Sequence, residues 1–263
     1  VPAIFGPPPD TKTYLFSHSS TVSPPSFCRT LGGRRSPYLL NFLSNHPVLT
    51  LELDNIELSY NNRKILSGIY LCGKTGEVTG ILGRNGSGKT SLLRILFGNL
   101  NAKYGNVRLD GIHQQQKLFK TGKVAYLPQH QLLPKQIKVD DAFKTFNVNW
   151  TAFTSIFTSF ERYRKWRVST LSSGELRLIE TYLILNSNKK IILLDEPFSF
   201  ISPVYIDKIK AIIDEKKVNS ILVITDHFYE VILEISDHLY LIKNGCSKGI
   251  LSKKQLQQEG YVS

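Results

Sequence analysis

The segment most informative about the fold class is Gly83-Arg84-Asn85-Gly86-Ser87-Gly88-Lys89-Thr90. It fits the phosphate-loop pattern GxxxxGK(S/T), with a short apolar strand pattern over residues 77–82 before it and a helical pattern after it. The glycines let the backbone turn its amide groups toward phosphate oxygens, and the N-terminus of the following helix adds partial positive charge there. The stretch therefore predicts a nucleotide site at the end of a strand in an α/β fold.

The phosphate loop also supplies the cation and the hydroxyl group that a bound nucleotide requires. We expect Lys89 to reach the β- and γ-phosphates and Thr90 to bind Mg²⁺. The predicted nucleotide-binding set consists of the loop and the residue that follows it: Gly83, Arg84, Asn85, Gly86, Ser87, Gly88, Lys89, Thr90 and Ser91.

A carboxylate for the metal is expected where a second buried strand ends. Residues 191–194 are all apolar, as in a parallel strand that is buried on both faces, and Asp195 and Glu196 follow them directly. Since parallel strands present their carboxyl ends at one sheet edge, we expect Asp195 to bind Mg²⁺ and Glu196 to act as general base on the attacking water. The alternative is that both carboxylates only end a strand at a solvated surface.

Strand and helix patterns alternate along the chain from residue 48 onward. Residues 49–53 and 56–60 alternate apolar and polar side chains, and Asn61 and Asn62 can form a turn between strands. Further patterns indicate strands over 123–127, 220–225 and 239–241, and helices over about 139–186 and over 206–213. This alternation predicts an α/β sheet, followed after residue 241 by a short polar tail.

Four further motifs make the interpretation specific. The segment Leu171-Ser172-Ser173-Gly174-Glu175 lies between the two phosphate-site motifs and resembles the LSGGQ signature of the ATP-binding cassette (ABC) family. Tyr60 resembles the aromatic residue that stacks on adenine, Gln129 the Q-loop glutamine and His227 the switch histidine of that family. The motifs occur in the order of the family, and the resemblance covers residues 48–263.

The resemblance implies a fold, two cofactors and a set of roles. The fold is α/β: a P-loop NTPase core with an antiparallel β-subdomain and a helical signature subdomain over about 130–187. The cofactors are ATP and Mg²⁺, with Gln129 as a further metal contact. The residues implied to bind ATP besides the phosphate loop are Tyr60, Ser172, Ser173, Gly174 and Glu175, and those implied to be catalytic are Glu196, His227 and Gln129.

The resemblance also implies partners. Cassettes of this family sandwich two ATP molecules head to tail, so that one chain of a homodimer or pseudo-dimer supplies half of each composite site. A separate transmembrane permease subunit docks on the helical subdomain, which places the chain on the cytoplasmic face of a membrane. The implied function is the ATP-hydrolysing subunit of an ABC transporter; the alternative is a soluble, non-transport ABC ATPase of the assembly-factor type.

Two positions depart from the family pattern. Ser173 stands where the family usually has glycine, but Ser172 and Gly174 are retained, and we expect function to survive. Ser202 stands where the family usually has aspartate, in the loop through which two subunits communicate.

The first 47 residues form a different kind of sequence. They hold eight of the twelve prolines and a single acidic residue, Asp10, without a persistent hydrophobic period. Such a composition predicts a disordered tail, or a segment outside the native translated chain, because the sequence begins with Val1 and contains no methionine. The alternative is a targeting segment, since the stretch is rich in serine and carries arginines.

Composition limits the remaining function classes. No run approaches the roughly 18 apolar residues of a membrane helix, and three widely spaced cysteines suit a reducing cytosol. The formal charge of +12 favours anionic partners without choosing among them. A basic run over 162–167 could contact nucleic acid or lipid headgroups, but we interpret it as a solvated helix end and expect no specific nucleic acid.

Overall fold

The computed structural model of the chain describes residues 48–61 and 63–262. The predicted tail over 1–47 and Asn62 of the predicted turn lie outside the described residues. Among the residues described, no helix is both long and apolar enough to cross a membrane.

Within the described residues, ten strands form two sheets. Their bounds in chain order are β1 Thr50–Tyr60, β2 Arg63–Lys74, β3 Val78–Gly83, β4 Tyr104–Leu109, β5 Ile112–His113, β6 Val124–Leu127, β7 Ile191–Asp195, β8 Ile221–Thr225, β9 His238–Lys243 and β10 Cys246–Ile250. One sheet has the order β2-β1-β4-β5 and is antiparallel; the other has the order β10-β9-β3-β8-β7-β6.

In the same part of the chain, seven α-helices connect or flank these strands. They are α1 Lys89–Phe97, α2 Val139–Thr145, α3 Trp150–Ile156, α4 Ser173–Leu185, α5 Pro203–Lys217, α6 Tyr229–Ile235 and α7 Lys253–Gln258. Short 3₁₀ helices cover Leu118–Thr121, Thr158–Tyr163 and Val168–Thr170.

The six-stranded sheet is the parallel core that the apolar strand patterns predict. Strands β9, β3, β8, β7 and β6 run parallel, and β10 adds to one edge in the antiparallel direction. Every residue of β3, β7 and β8 is buried, because helices or the second sheet cover both faces. The predicted α/β class with an antiparallel subdomain is therefore confirmed, and the carboxyl ends of β3, β6, β7 and β8 lie at a common edge.

Three expectations about the elements need correction. The two strands expected over 49–53 and 56–60 are one strand, β1, because Asn55 absorbs a register shift with a φ of 53°. The region expected to be mostly helical holds short helices and 3₁₀ turns between α2 and α4. The expected polar tail after residue 241 instead forms β10 and α7, whose Leu256 is fully buried.

An aromatic cluster packs the segment between β6 and α4. The ring centroids of Phe143 and Trp150 lie 4.9 Å apart edge to face, and those of Phe153 and Tyr182 lie 4.9 Å apart. Phe157 and Phe160 extend the cluster and are almost fully buried. Because Tyr182 belongs to α4, this cluster joins the short helices to the helix that begins at the signature segment.

Candidate functional site

The phosphate loop joins the end of β3 to the start of α1 through glycines that a larger residue could not replace without strain or a clash. Gly88 precedes the helix with a φ of 100°, in the left-handed region that glycine adopts readily. A Cβ at Gly83 would lie 2.8 Å from the carbonyl oxygen of Ile242, so a larger residue could not follow the same path. The first turn of α1 carries no acidic residue, which leaves its positive end available to an anion.

Lys89 is buried and turned back into the phosphate loop. Its Nζ donates to the carbonyl oxygens of Gly83 at 2.7 Å and of Arg84 at 3.4 Å. Burial lowers the pKa of this ammonium group, while Glu196, Asp195 and other nearby carboxylates oppose that effect. The loop thus holds a cation among its own main-chain groups.

Asp195 ends β7 as a fully buried carboxylate with one unsatisfied oxygen. Its Oδ2 accepts a hydrogen bond from the Tyr126 hydroxyl at 3.2 Å, whereas Oδ1 is buried without a hydrogen-bond partner. Burial raises the pKa of Asp195, although the hydroxyl of Thr90 lies close enough to lower it. A buried carboxylate oxygen without a donor, near a threonine hydroxyl, is a donor set that fits a hard divalent cation.

Glu196 lies at the centre of a group of polar side chains from three separate loops. Its Oε1 accepts from Nε2 of Gln129 at 2.9 Å and lies 2.6 Å from Nε2 of His227. Its Oε2 accepts from the Ser199 hydroxyl at 3.2 Å. Glu196 has a φ of 58°, and its amide donates to the carbonyl oxygen of Thr225 at 2.7 Å. A non-glycine residue held in this conformation marks a place where the surrounding structure imposes the geometry.

The structure thus places Gln129 and His227, both expected to be catalytic, in direct contact with Glu196, the expected general base. They come from the loops after β6, β7 and β8, which are neighbouring parallel strands. Such an edge is where open α/β sheets bind their ligands.

The signature segment forms a helix start, separate from this group. The Ser172 hydroxyl accepts from the amide of Glu175 at 3.3 Å, and the carboxylate of Glu175 accepts from the amide of Ser172 at 2.8 Å. This reciprocal capping box begins α4. Glu175 also accepts from the Tyr163 hydroxyl. In the part of the chain described, no hydrogen bond or ion pair joins residues 172–175 to the phosphate loop.

Tyr60 stays a prediction as an adenine contact. It ends β1, pairs with Arg63 across the turn and is 45% exposed. The same hairpin reaches the phosphate loop through Leu66, whose Cδ2 lies 2.6 Å from the position of a Cβ at Gly88. The aromatic ring therefore belongs to a hairpin that packs beside the phosphate loop.

The structure adds several side chains that were not among the site residues predicted from the sequence. Tyr126 bonds to Asp195, and burial followed by the charge of Asp195 raises the pKa of its hydroxyl. Asp226 is fully buried and accepts from the amides of Phe198 at 2.8 Å and of Phe228 at 3.1 Å, so it links the loop after β7 to the loop after β8. Asp226 directly follows the apolar strand β8, as Asp195 ends β7, and that parallel was a usable signal. Arg177 and Glu180 were also missed; they are charged residues within a mostly apolar stretch of α4.

Comparisons with known proteins agree on one family. Residues 66–199 match the model of the ABC transporter family. The lipopolysaccharide export system ATP-binding protein LptB of Haemophilus influenzae is 28% identical over 211 residues, which cover 74% of this chain and 87% of that protein. A protein of Azorhizobium caulinodans named "Probable ABC transporter ATP-binding protein" is 30% identical over 202 residues, with 71% and 72% covered.

Solved structures agree on the fold. A nucleotide-free ATP-binding cassette from an ABC transporter superposes with a TM-score of 0.64 at 22% identity, covering 80% of this chain and 94% of that one. The ATP-binding subunit of another ABC transporter gives a TM-score of 0.66 at 16% identity, covering 80% and 93%.

Proposed function

The chain belongs to the ABC transporter family as an ATP-binding subunit, and from that premise we propose that it hydrolyses ATP with Mg²⁺ to drive a separate membrane permease. The observation that carries the proposal is the contact of Gln129 and His227 with the same oxygen of Glu196, at 2.9 and 2.6 Å. A carboxylate held from two sides at the ligand-binding edge of the sheet is arranged to act as a base.

The phosphate loop would bind the triphosphate. Its main-chain amides and the N-terminus of α1 favour the anion, and Lys89 would exchange its bonds to the Gly83 and Arg84 carbonyls for phosphate oxygens. Ser91 continues the first turn of the helix behind Thr90. Tyr60, on the neighbouring hairpin, would stack on the adenine ring.

Asp195 and Thr90 would hold Mg²⁺, with Gln129 as a further contact. The fit rests on the buried, unpaired Oδ1 of Asp195 and on the nearby Thr90 hydroxyl. When bound, the ion neutralises charge on the phosphate oxygens. The high burial of Asp195 suits this role, because a carboxylate in an apolar setting gains most from a cation.

Glu196 would accept a proton from the water that attacks the γ-phosphorus. As the new phosphorus–oxygen bond forms, the bond to the bridging oxygen breaks and ADP leaves with that electron pair. Gln129 and His227 keep Glu196 oriented, and Ser199 binds its second oxygen. Removing the proton acceptor should therefore stop the chemical step and leave nucleotide binding in place.

The second half of each site would come from another cassette, in a homodimer or pseudo-dimer. Ser172, Ser173, Gly174 and Glu175 stand at the N-terminus of the 13-residue α4. A helix start of this kind attracts anions, so these residues are suited to the γ-phosphate of a nucleotide held by the partner. The permease would dock on the helical subdomain, over about 130–187, at the cytoplasmic face of the membrane.

The experiment is a pull-down from native membranes with the Glu196→Gln variant and Mg-ATP. The variant should retain ATP, form a dimer and bring down a polytopic membrane protein. A dimer that brings down only soluble proteins would overturn the transporter assignment in favour of the assembly-factor alternative. A wild-type chain that binds ATP but shows no Mg-dependent phosphate release would overturn hydrolysis itself.

A further inference from the structure

Two charged side chains point into the core from one turn of α4. The side chains of Arg177 and Glu180 are only 6% and 2% exposed. Buried charges persist when they are paired and hydrogen-bonded, because removal from water is costly otherwise. Neither residue has a part in the hydrolysis described above.

Arg177 bridges the carboxyl ends of two neighbouring parallel strands. Its Nη1 donates to the carbonyl oxygen of Pro128 at 2.8 Å, and Pro128 directly follows β6. Its Nη2 donates to the carbonyl oxygen of Asp195, the last residue of β7, and its Nε donates to that of Glu196 at 3.0 Å. One guanidinium group thus binds three main-chain oxygens where the two strands end.

These anchored carbonyls lie next to two side chains that the reaction requires. Gln129 follows Pro128, and Glu196 is itself one of the bound residues. Their side chains meet at 2.9 Å, and Glu196 keeps a left-handed φ of 58°. The guanidinium therefore fixes the main chain on both sides of the Gln129–Glu196 contact.

Glu180 holds the other end of the loop that carries Gln129. Its Oε1 accepts from the amides of Leu132 at 2.8 Å and Leu133 at 2.9 Å. Its Oε2 lies 3.6 Å from Nη1 of Arg177. Burial raises the pKa of Glu180, and the two amides and Arg177 oppose that effect. The loop from Pro128 to Leu133 is thereby held at both ends by one turn of the helix that starts at the signature segment.

We propose that Arg177 and Glu180 are positioning residues for ATP hydrolysis, which hold Gln129 against Glu196 through the main chain. The pair sets the rate of turnover and leaves nucleotide affinity largely unchanged, because neither side chain contacts the phosphate loop. The inference rests on the proposed hydrolysis. Lysine cannot replace Arg177, since a single ammonium group cannot present three donors in the planar arrangement that these carbonyls require.

The test separates positioning from mere stability by comparing single and double variants. Arg177→Met leaves Glu180 buried without its cation, so the unfolding temperature and kcat should both fall. Arg177→Met/Glu180→Gln removes the uncompensated charge while keeping an oxygen for the two amides. We expect the double variant to regain most of the unfolding temperature, with kcat still reduced by about 10- to 100-fold and KM within about threefold of wild type.

The matched control removes a more exposed ion pair, between a lysine and a glutamate. Lys210→Met/Glu234→Gln breaks a 2.8 Å contact between α5 and α6, and it should change neither kcat nor KM. Recovery of kcat together with the unfolding temperature in the Arg177 double variant would overturn the proposal. If both methionine variants fail to fold, Arg177→Lys, which keeps the charge, should fold and still lose kcat; wild-type turnover in it would also overturn the proposal.

Hydrogen exchange keeps this test separate from the proposed function. In Arg177→Lys, the amides of residues 129–133 and of Glu196 should exchange faster than in wild type, whatever the rate of hydrolysis. Unchanged exchange there would refute the positioning role even if the chain proved to be an active ATPase. Faster exchange in a chain without ATPase activity would refute the proposed function alone.

Discussion

The side chains around Glu196 bond to partners that are distant in sequence, whereas those of residues 171–175 bond mainly to near neighbours. Gln129 and Glu196 are 67 positions apart and meet at 2.9 Å. Ser172 and Glu175 are three positions apart and complete a capping box within one turn. The first group exists only when β6, β7 and β8 pair, while the second can form with its own helix. The geometry around Glu196 therefore depends on strand pairing, whereas that of residues 171–175 depends mainly on the formation of one helix.

The largest effect is expected from the centre of the long-range group. Glu196→Gln removes the proton acceptor but keeps a side chain of the same shape, so kcat should fall by about 10²- to 10⁴-fold while ATP binding persists. Phosphate release and nucleotide binding by equilibrium titration check the two halves of this expectation. Turnover within a few-fold of wild type would remove Glu196 from its catalytic role.

A second substitution, Gly174→Ala, tests a tertiary contact between the signature segment and Phe200. A Cβ at Gly174 would overlap the carbonyl oxygen of Phe200, a main-chain atom that cannot rotate away. Gly174→Ala should therefore lower the free energy of unfolding by about 1–3 kcal/mol, measured by urea denaturation.

Gly249→Ala is the control for that substitution, because a Cβ there meets nothing within 4 Å. It should be close to neutral. Equal effects at the two glycines would show that the approach of Phe200 to the signature helix is not a constraint.

Substitutions of two serines at helix starts measure how much a local capping hydrogen bond contributes to stability. Ser172 accepts a capping bond from its own helix, whereas Ser202, before α5, makes no side-chain cap bond. Ser172→Ala should cost about 1 kcal/mol of unfolding free energy and Ser202→Ala almost nothing. Thermal or urea unfolding of the two variants measures both costs. A larger loss of stability in Ser202→Ala than in Ser172→Ala would contradict the expectation.

The smallest effect concerns a second histidine–carboxylate pair, at the opposite edge of the same sheet. Nε2 of His238 lies 3.0 Å from Glu77, at the starts of β9 and β3. Hydrogen bonding to Glu77 raises the pKa of His238 above 6.5, and bonding to His238 lowers the pKa of Glu77 below 4.5. The pair therefore stabilises the fold between those values, and it weakens as pH rises through the raised histidine pKa or falls through the lowered glutamate pKa.

His238→Gln should accordingly cost less than about 1 kcal/mol near pH 5.5 and still less near pH 8.5, because both groups are partly exposed. Urea denaturation of wild type and variant at the two pH values measures the difference. A cost that does not change with pH would show that the pair is not ionic.

Much of the fold could be predicted because it depends on contiguous sequence patterns. The phosphate loop is a contiguous pattern of glycines with a lysine, and it stands between a strand and a helix as expected. The apolar runs that became β7 and β8 are buried along their whole length. The expectations about residues 49–60 and about the segment after residue 241 are wrong because short-range patterns do not specify tertiary contacts. Asn55 let one strand continue through a break, and β9 supplied an edge for β10 to join.

The candidate site likewise combines features set by neighbouring residues with contacts between distant ones. The phosphate loop and the two carboxylates after a buried strand could be predicted from sequence alone, because each depends on neighbouring residues. The contacts of Gln129 and His227 with Glu196, and those of Arg177 with the ends of two strands, form only in the folded chain. Hydrogen bonds between distant residues depend on strand order and helix packing, which no local pattern specifies.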